Sequence, residues 1–206
     1  MKLNNACKII SPVLFMITIM IILPAPLEST SNEIKFYGFA EIIKYDENGN
    51  VVYSQTVHNR LLDAGEDFIN DQVFQDSATS ADNVQVAVIC IFQGTIDTAE
   101  TETATTFDGD NTLTEANCKE DTAVATASST AVIGPLTFAA GGTNAANGDT
   151  IAAIGICQPN AGSNADSTDC ATNGILFAVV DTTDVILNSG ETVDITYTFD
   201  LSSSGT

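Results

Sequence analysis

The chain has 206 residues, 27 of them acidic and 6 basic, for a formal net charge of -21, and it carries one His and no Trp. A surface this negative repels phosphate backbones and anionic headgroups, which argues against a nucleic-acid partner. A single imidazole leaves almost no material for histidine-based zinc sites or His-assisted nucleophiles, while 44% apolar residues suffice for one real core.

Lys2 and Lys8 stand in an acid-free start, and Ile9 to Leu23 follows as fifteen residues without a charge. That is the layout of a secretory signal peptide, and it is short for a membrane span, which needs roughly 20 apolar residues. Pro24 and Pro26 then break the helix, and Ser29 and Ser31 are small residues that suit a cut before Asn32. The sequence therefore predicts a leader over 1–31 and a single mature domain over 32–206. The other reading is an uncleaved signal helix, which makes the N-terminus the only expected membrane contact. Cys7 precedes the apolar run, which argues against lipid attachment there. After cleavage Lys35, Lys44, Arg60 and Lys119 face 26 acids, since only Glu28 leaves with the leader. The expected location is secreted or at the cell surface.

Strand signals dominate the rest. Glu33 to Tyr45 predicts a strand whose apolar side chains include Ile34, Phe36, Tyr37, Phe39 and Ile42. Asn48-Gly49 predicts a tight hairpin, with positive φ at both turn positions, into a second strand from Val51 to His58. Asp46, Asn48 and Asn50 also suggest a calcium loop, but the glycine stands fourth rather than sixth, which fits the hairpin and not an EF-hand. One helix is predicted, Asp63 to Phe74, with Asp63 as N-cap, Glu66 reaching back, and Phe68, Ile69 and Val73 as its apolar face. Twelve residues are too few for a free-standing helix, so this one must pack on a sheet or plug one end of it.

Asn83 to Phe92 is apolar on both faces, as in a central sandwich strand. A Thr- and acid-rich excursion fills 94–121, and Thr122 to Ala140 reads as one or two strands around Gly134-Pro135. After a Gly/Asn turn come a short buried strand, Ile151 to Cys157, a polar loop over 158–173, and a strand from Gly174 to Asp181. From Thr192 to Leu201, Val193, Ile195, Tyr197, Phe199 and Leu201 share one face and threonines and aspartates the other. The predicted fold is all-β, an antiparallel, jelly-roll-like β-sandwich with one short helix and a solvated outer surface.

Cys90, Cys118, Cys157 and Cys170 remain in the mature chain, an even number suited to disulfides in an oxidising compartment. Of the three pairings, proximity favours Cys90 with Cys118 and Cys157 with Cys170. The alternative, a four-cysteine metal site, lacks any CxxC pair. No cofactor is expected, with calcium as the one candidate ligand. Asp108, Asp110 and Asn111, and separately Asp166 and Asp169, offer hard oxygen atoms on loops, although the same residue types gather in loops because they make turns.

Several short motifs recur in a recognisable order: His58-Asn59, Gly65 and Ile69, Phe74, Gly94-Thr95, Leu113 and Glu115, Phe138, Ile154-Gly155 and the alternating last strand. Over about 35–201 the chain resembles a loosely defined family of β-sandwich proteins found among phage and archaeal-virus structural proteins and exported archaeal surface proteins. The resemblance implies a structural or surface-assembly role. The export signal and the four cysteines depart from the virion members and favour the outside of a cell.

Catalysis is not expected. His58 is the only imidazole and its place beside Asn59 suits a hydrogen-bonding corner, while four Tyr and no Trp leave few aromatic platforms for sugars. The leading expectation is an exported structural subunit of a cell-surface layer or extracellular filament, self-associating by strand exchange or packing, with Asn32 to Tyr45 as candidate donor strand. The alternative is a surface-displayed adhesin or carbohydrate-binding module that uses the long loops 94–121 and 158–173.

Overall fold

The computed structural model describes residues 37–74, 86–94, 96, 101–113, 117–127, 129–158, 170 and 174–200. The leader, Ile34, Phe36, Asp166, Asp169 and Leu201 lie outside these residues. Among the described residues no helix is long and apolar enough to cross a membrane.

Among the described residues, ten strands form two five-stranded antiparallel sheets. In chain order they are β1 (Tyr37–Tyr45), β2 (Val51–His58), β3 (Arg60–Leu61), β4 (Val88–Phe92), β5 (Cys118–Glu120), β6 (Ala125–Ala127), β7 (Thr130–Ala139), β8 (Asp149–Gln158), β9 (Ile175–Leu187) and β10 (Thr192–Asp200). One sheet has the order β2-β1-β10-β7-β6 and the other β3-β9-β8-β4-β5. The first strand pairs with the last and β3 pairs with β9, a nesting that is jelly-roll-like. By contrast β1–β2, β6–β7 and β8–β9 remain pairs of consecutive strands.

The expected all-β antiparallel sandwich is present, and its local chemistry follows the sequence in most places. Between β1 and β2 the loop is wider than a two-residue turn. Gly49 N–H donates to the Asp46 carbonyl at 3.0 Å, Gly49 takes φ 80°, and the register shifts at Tyr45, so a bulge follows the turn. The Asp46 carboxylate accepts from the Asn48 and Asn50 N–H groups at 2.9 and 2.8 Å. Hydrogen bonds from Asn50 are the main reason its pKa falls below the ordinary value.

Helix α1 (Asp63–Phe74) has the predicted limits but a different start. The Leu62 carbonyl accepts from Glu66 N–H at 3.0 Å, which makes Leu62 the cap and Asp63 the first helical residue. The helix packs against β9, where Phe68 meets Phe177 edge to face with centroids 6.3 Å apart. Gly65 permits this approach, since a Cβ there would lie 2.2 Å from the Phe177 carbonyl oxygen.

The sequence predicts one helix, and the described residues hold two. Helix α2 (Ala104–Asp110) sits in the excursion read as loop, with Thr103 as N-cap: its side chain accepts from Thr106 N–H while Thr106 Oγ1 accepts from Thr103 N–H. Gly134-Pro135 does not separate two strands either; both residues lie inside β7. Pro135 is tolerated because the register between β10 and β7 shifts at that point and β6 reaches only as far as Val132. β9 continues past Asp181 to Leu187, because Thr182 turns its hydroxyl onto the Ile151 carbonyl at 3.0 Å and Val185 and Leu187 are buried.

Among the described residues, two apolar cores result. The larger lies between the sheets and includes Ile42, Ile89, Ile91, Phe138, Ile154, Ile156, Val193, Ile195 and Tyr197. A second cluster holds Val88, Cys90, Phe92, Phe107, Cys118, Cys157, Cys170 and Leu176. Along β4 the odd residues Ile89 and Ile91 join the first core and the even residues Val88, Cys90 and Phe92 the second. The two-sided apolarity of β4 thus arises because its outer face is covered as well.

Candidate functional site

The most chemically distinctive place is this second cluster. Cys90 of β4 stands directly opposite Cys118 of β5 in the ladder, and the two form a disulfide. Cys157 of β8, opposite Val88, bonds to Cys170. This is the pairing that sequence proximity favours. The sequence does not reveal that the two bridges touch. Cys170 Sγ lies 3.5 Å and Cys157 Sγ 4.0 Å from Cys90 Sγ, and all four cysteines are at most 1% exposed.

Helix α2 closes this sulfur layer. Phe107 packs on Phe92 with centroids 4.5 Å apart, and Asp108 Oδ1 accepts from Cys170 N–H at 2.9 Å, tying the helix to the second bridge. Gly155 leaves the space, because a Cβ there would lie 2.9 Å from the Phe107 ring and 3.2 Å from Cys170 Sγ. Ile154-Gly155 was legible as a short motif; its purpose, room for a ring and a sulfur, depends on the covering helix.

Of the calcium candidates, Asp108, Asp110 and Asn111 do not form the flexible loop expected. Asp108 and Asp110 lie in the last turn of α2 and Asn111 is its C-cap. Asn111 Oδ1 accepts from the Gln93 and Leu113 N–H groups at 3.0 and 3.2 Å, and Asp110 is exposed. Asn111 thereby fastens the excursion to the end of β4. Asp166 and Asp169 are outside the described residues. Among the described residues, the group of three or more His, Cys, Asp or Glu side chains close enough to share an ion is Cys90, Cys157 and Cys170, with sulfurs within 4.8 Å of one another. Sequence reading also misses two buried acceptors in the excursion, Glu102 Oε1 and Asn117 Oδ1, which have no hydrogen-bond partner among the described residues.

At the corner after β2, it is Asn59 rather than His58 that makes the hydrogen bond. Asn59 Nδ2 donates to the Tyr197 hydroxyl at 2.9 Å and its N–H donates to the Gly38 carbonyl. Burial raises the Tyr197 pKa far above its ordinary value, so the hydroxyl stays protonated. His58 is exposed and lies edge-on to Phe39. Of the donor-strand candidates, Ile42 is in the core, whereas Phe39 sits on the opposite face of β1 by the two-residue period. Tyr37 opens β1, which is flanked on both sides within its own chain by β10 and β2.

The described region is thus a disulfide-stapled, two-sheet antiparallel β-sandwich with a covered outer face. Comparison with protein-family models, curated proteins and solved structures gives no match.

Proposed function

We propose that the protein is an exported, non-catalytic structural subunit of a cell-surface layer or extracellular filament, and that it self-associates through the edge of β2 that no other strand among the described residues pairs with. The observation that carries this reading is the contrast between its sheet edges. The outer strands β3, β5 and β6 have two or three residues, and the flanks of β9 and β7 that β3 and β6 leave unpaired carry Asp181, Asp184 and Pro135, which discourage pairing. β2 is an eight-residue edge, VVYSQTVH, with no Asp, Glu, Lys, Arg or Pro, in a chain of net charge -21. Val51 and Val52 are 59% and 52% exposed. Natural edges of this length are normally guarded by charge, proline, cover or a bulge; the bulge here is confined to Val51–Val52, and Tyr53 to His58 continue in regular register.

Edge pairing is favoured over exchange of Asn32 to Tyr45. Exchange requires β1 to leave ladders on both sides, and the short loop to β2 would carry the whole hairpin along. Adding a strand to β2 breaks nothing. The two disulfides support a role outside the reducing cytoplasm.

Electron microscopy of residues 32–206, with and without calcium, tests the reading. Ordered fibres or layers are expected. A monomer at high concentration that binds glycans saturably overturns it in favour of an adhesin or carbohydrate-binding module.

A further inference from the structure

We infer that the sulfur layer is a soft-metal site in its reduced state, binding one Zn2+-class cation through the thiolates of Cys90, Cys157 and Cys170 with Cys118 as fourth ligand. A tetrahedral zinc with Zn–S bonds of about 2.3 Å holds its sulfurs roughly 3.8 Å apart. The two contacts between the bridges, 3.5 Å from Cys170 and 4.0 Å from Cys157 to Cys90, bracket that separation. The sulfurs of Cys90, Cys157 and Cys170 already lie within 4.8 Å of one another, and Cys118, which stands outside that group but directly opposite Cys90, brings its sulfur to the ion by a side-chain rotation once the Cys90–Cys118 bridge opens. The cysteine spacing of 28, 39 and 13 residues hides this, because no pair is close in sequence.

The chemistry is exclusive. Each disulfide takes two electrons and two protons from one equivalent of a dithiol reductant, which leaves as its own disulfide. The cation then displaces the four thiol protons to solvent and forms four metal–sulfur bonds. Two equivalents of a disulfide oxidant, each taking two electrons from the thiolates and two protons from solvent and leaving as its dithiol, release the metal and restore the bridges, so a single set of sulfurs holds either two crosslinks or one ion. Soft thiolates select zinc-like or cuprous ions over calcium and magnesium, which separates this site from the carboxylates of the surface.

The test uses the full mature chain, reduced with a dithiol under anaerobic conditions, freed of reductant, and titrated with Co2+ in the presence of excess Mg2+ to occupy carboxylates. One equivalent should produce sulfur-to-cobalt charge transfer and the visible bands of tetrahedral cobalt, and one equivalent of Zn2+ should abolish both. The oxidised chain should give neither signal, and Cys170→Ser and Cys118→Ser should each weaken binding at least tenfold. If the reduced apoprotein is unfolded, Zn2+ should restore its β-type circular dichroism. Absence of the thiolate signature from the reduced wild-type chain, or wild-type affinity in both serine variants, overturns the inference, as does failure of Zn2+ to refold an unfolded reduced chain.

Discussion

Opening the Cys157–Cys170 bridge should cost about 3 kcal/mol. The bonded residues are 13 apart in sequence, and the loop-closure entropy that the crosslink removes from the unfolded chain comes to roughly that figure at 25 °C for so short a loop. Cys90–Cys118, 28 residues apart, should contribute about 3.5 kcal/mol by the same relation. Folded domains are stable by only about 5–15 kcal/mol, so the two bridges together decide whether the mature chain stays folded. Comparing one chain oxidised and reduced isolates this effect, whereas Cys→Ala exchange would add a cavity in a dry layer. Urea unfolding followed by circular dichroism and tyrosine fluorescence is the assay, with metal chelated throughout. The reduced protein should unfold at clearly lower urea, and selective opening of Cys157–Cys170 should lower the melting temperature by roughly 6 to 12 °C. Equal midpoints for the two redox states would refute the reasoning, since a crosslink that restricts the unfolded chain cannot be removed without effect.

Gly65→Ala should weaken the docking of α1, because its Cβ meets a backbone oxygen at 2.2 Å; a loss of about 1–3 kcal/mol is expected in urea titrations. Tyr197→Phe leaves Asn59 Nδ2 without its acceptor and should cost about 1–2 kcal/mol, with Asn59→Ala in the phenylalanine background adding little more. Burial opposes ionisation of Glu191, but Lys44 at 2.7 Å and the Asn188 N–H outweigh it and hold its pKa below the ordinary 4.5. The stabilisation is therefore complete above pH 4.5 and is lost as pH falls through the lower folded-state value. Glu191→Gln should remove that acid-limb dependence, and at neutral pH should cost under about 1 kcal/mol, as for other partly exposed ion pairs.

Sequence periodicity reveals those parts of the fold in which one face is wet. β10 alternates buried Val193, Ile195 and Tyr197 with polar residues, and both its existence and its start at Thr192 follow from that pattern. β9 is harder to delimit: Asp181-Thr-Thr-Asp184 has the composition of a loop, and only the Thr182 bond to Ile151 and the burial of Val185 show that the strand goes on. The covered outer face is legible only in part. The two-sided apolarity of Val88 to Phe92 signals cover without saying what supplies it. Helix α2 has the signature Thr103-x-x-Thr106 before Phe107, a weak signal beside the turn-forming residues around it. The contact between the two disulfides depends on strand pairings among residues far apart in the chain, and no local pattern encodes it.

Sedimentation velocity of residues 32–206 over rising protein concentration, beside the variant Val52→Lys/Thr56→Lys, tests self-association most directly. Both substitutions place a cation on exposed positions of the edge strand and leave the core untouched. The wild-type chain should form larger species with concentration, more readily as salt screens its negative charge, while the variant keeps the same circular dichroism and remains a monomer. A wild-type chain that stays monomeric throughout, or a variant that assembles equally well, would contradict an assembly built on β2.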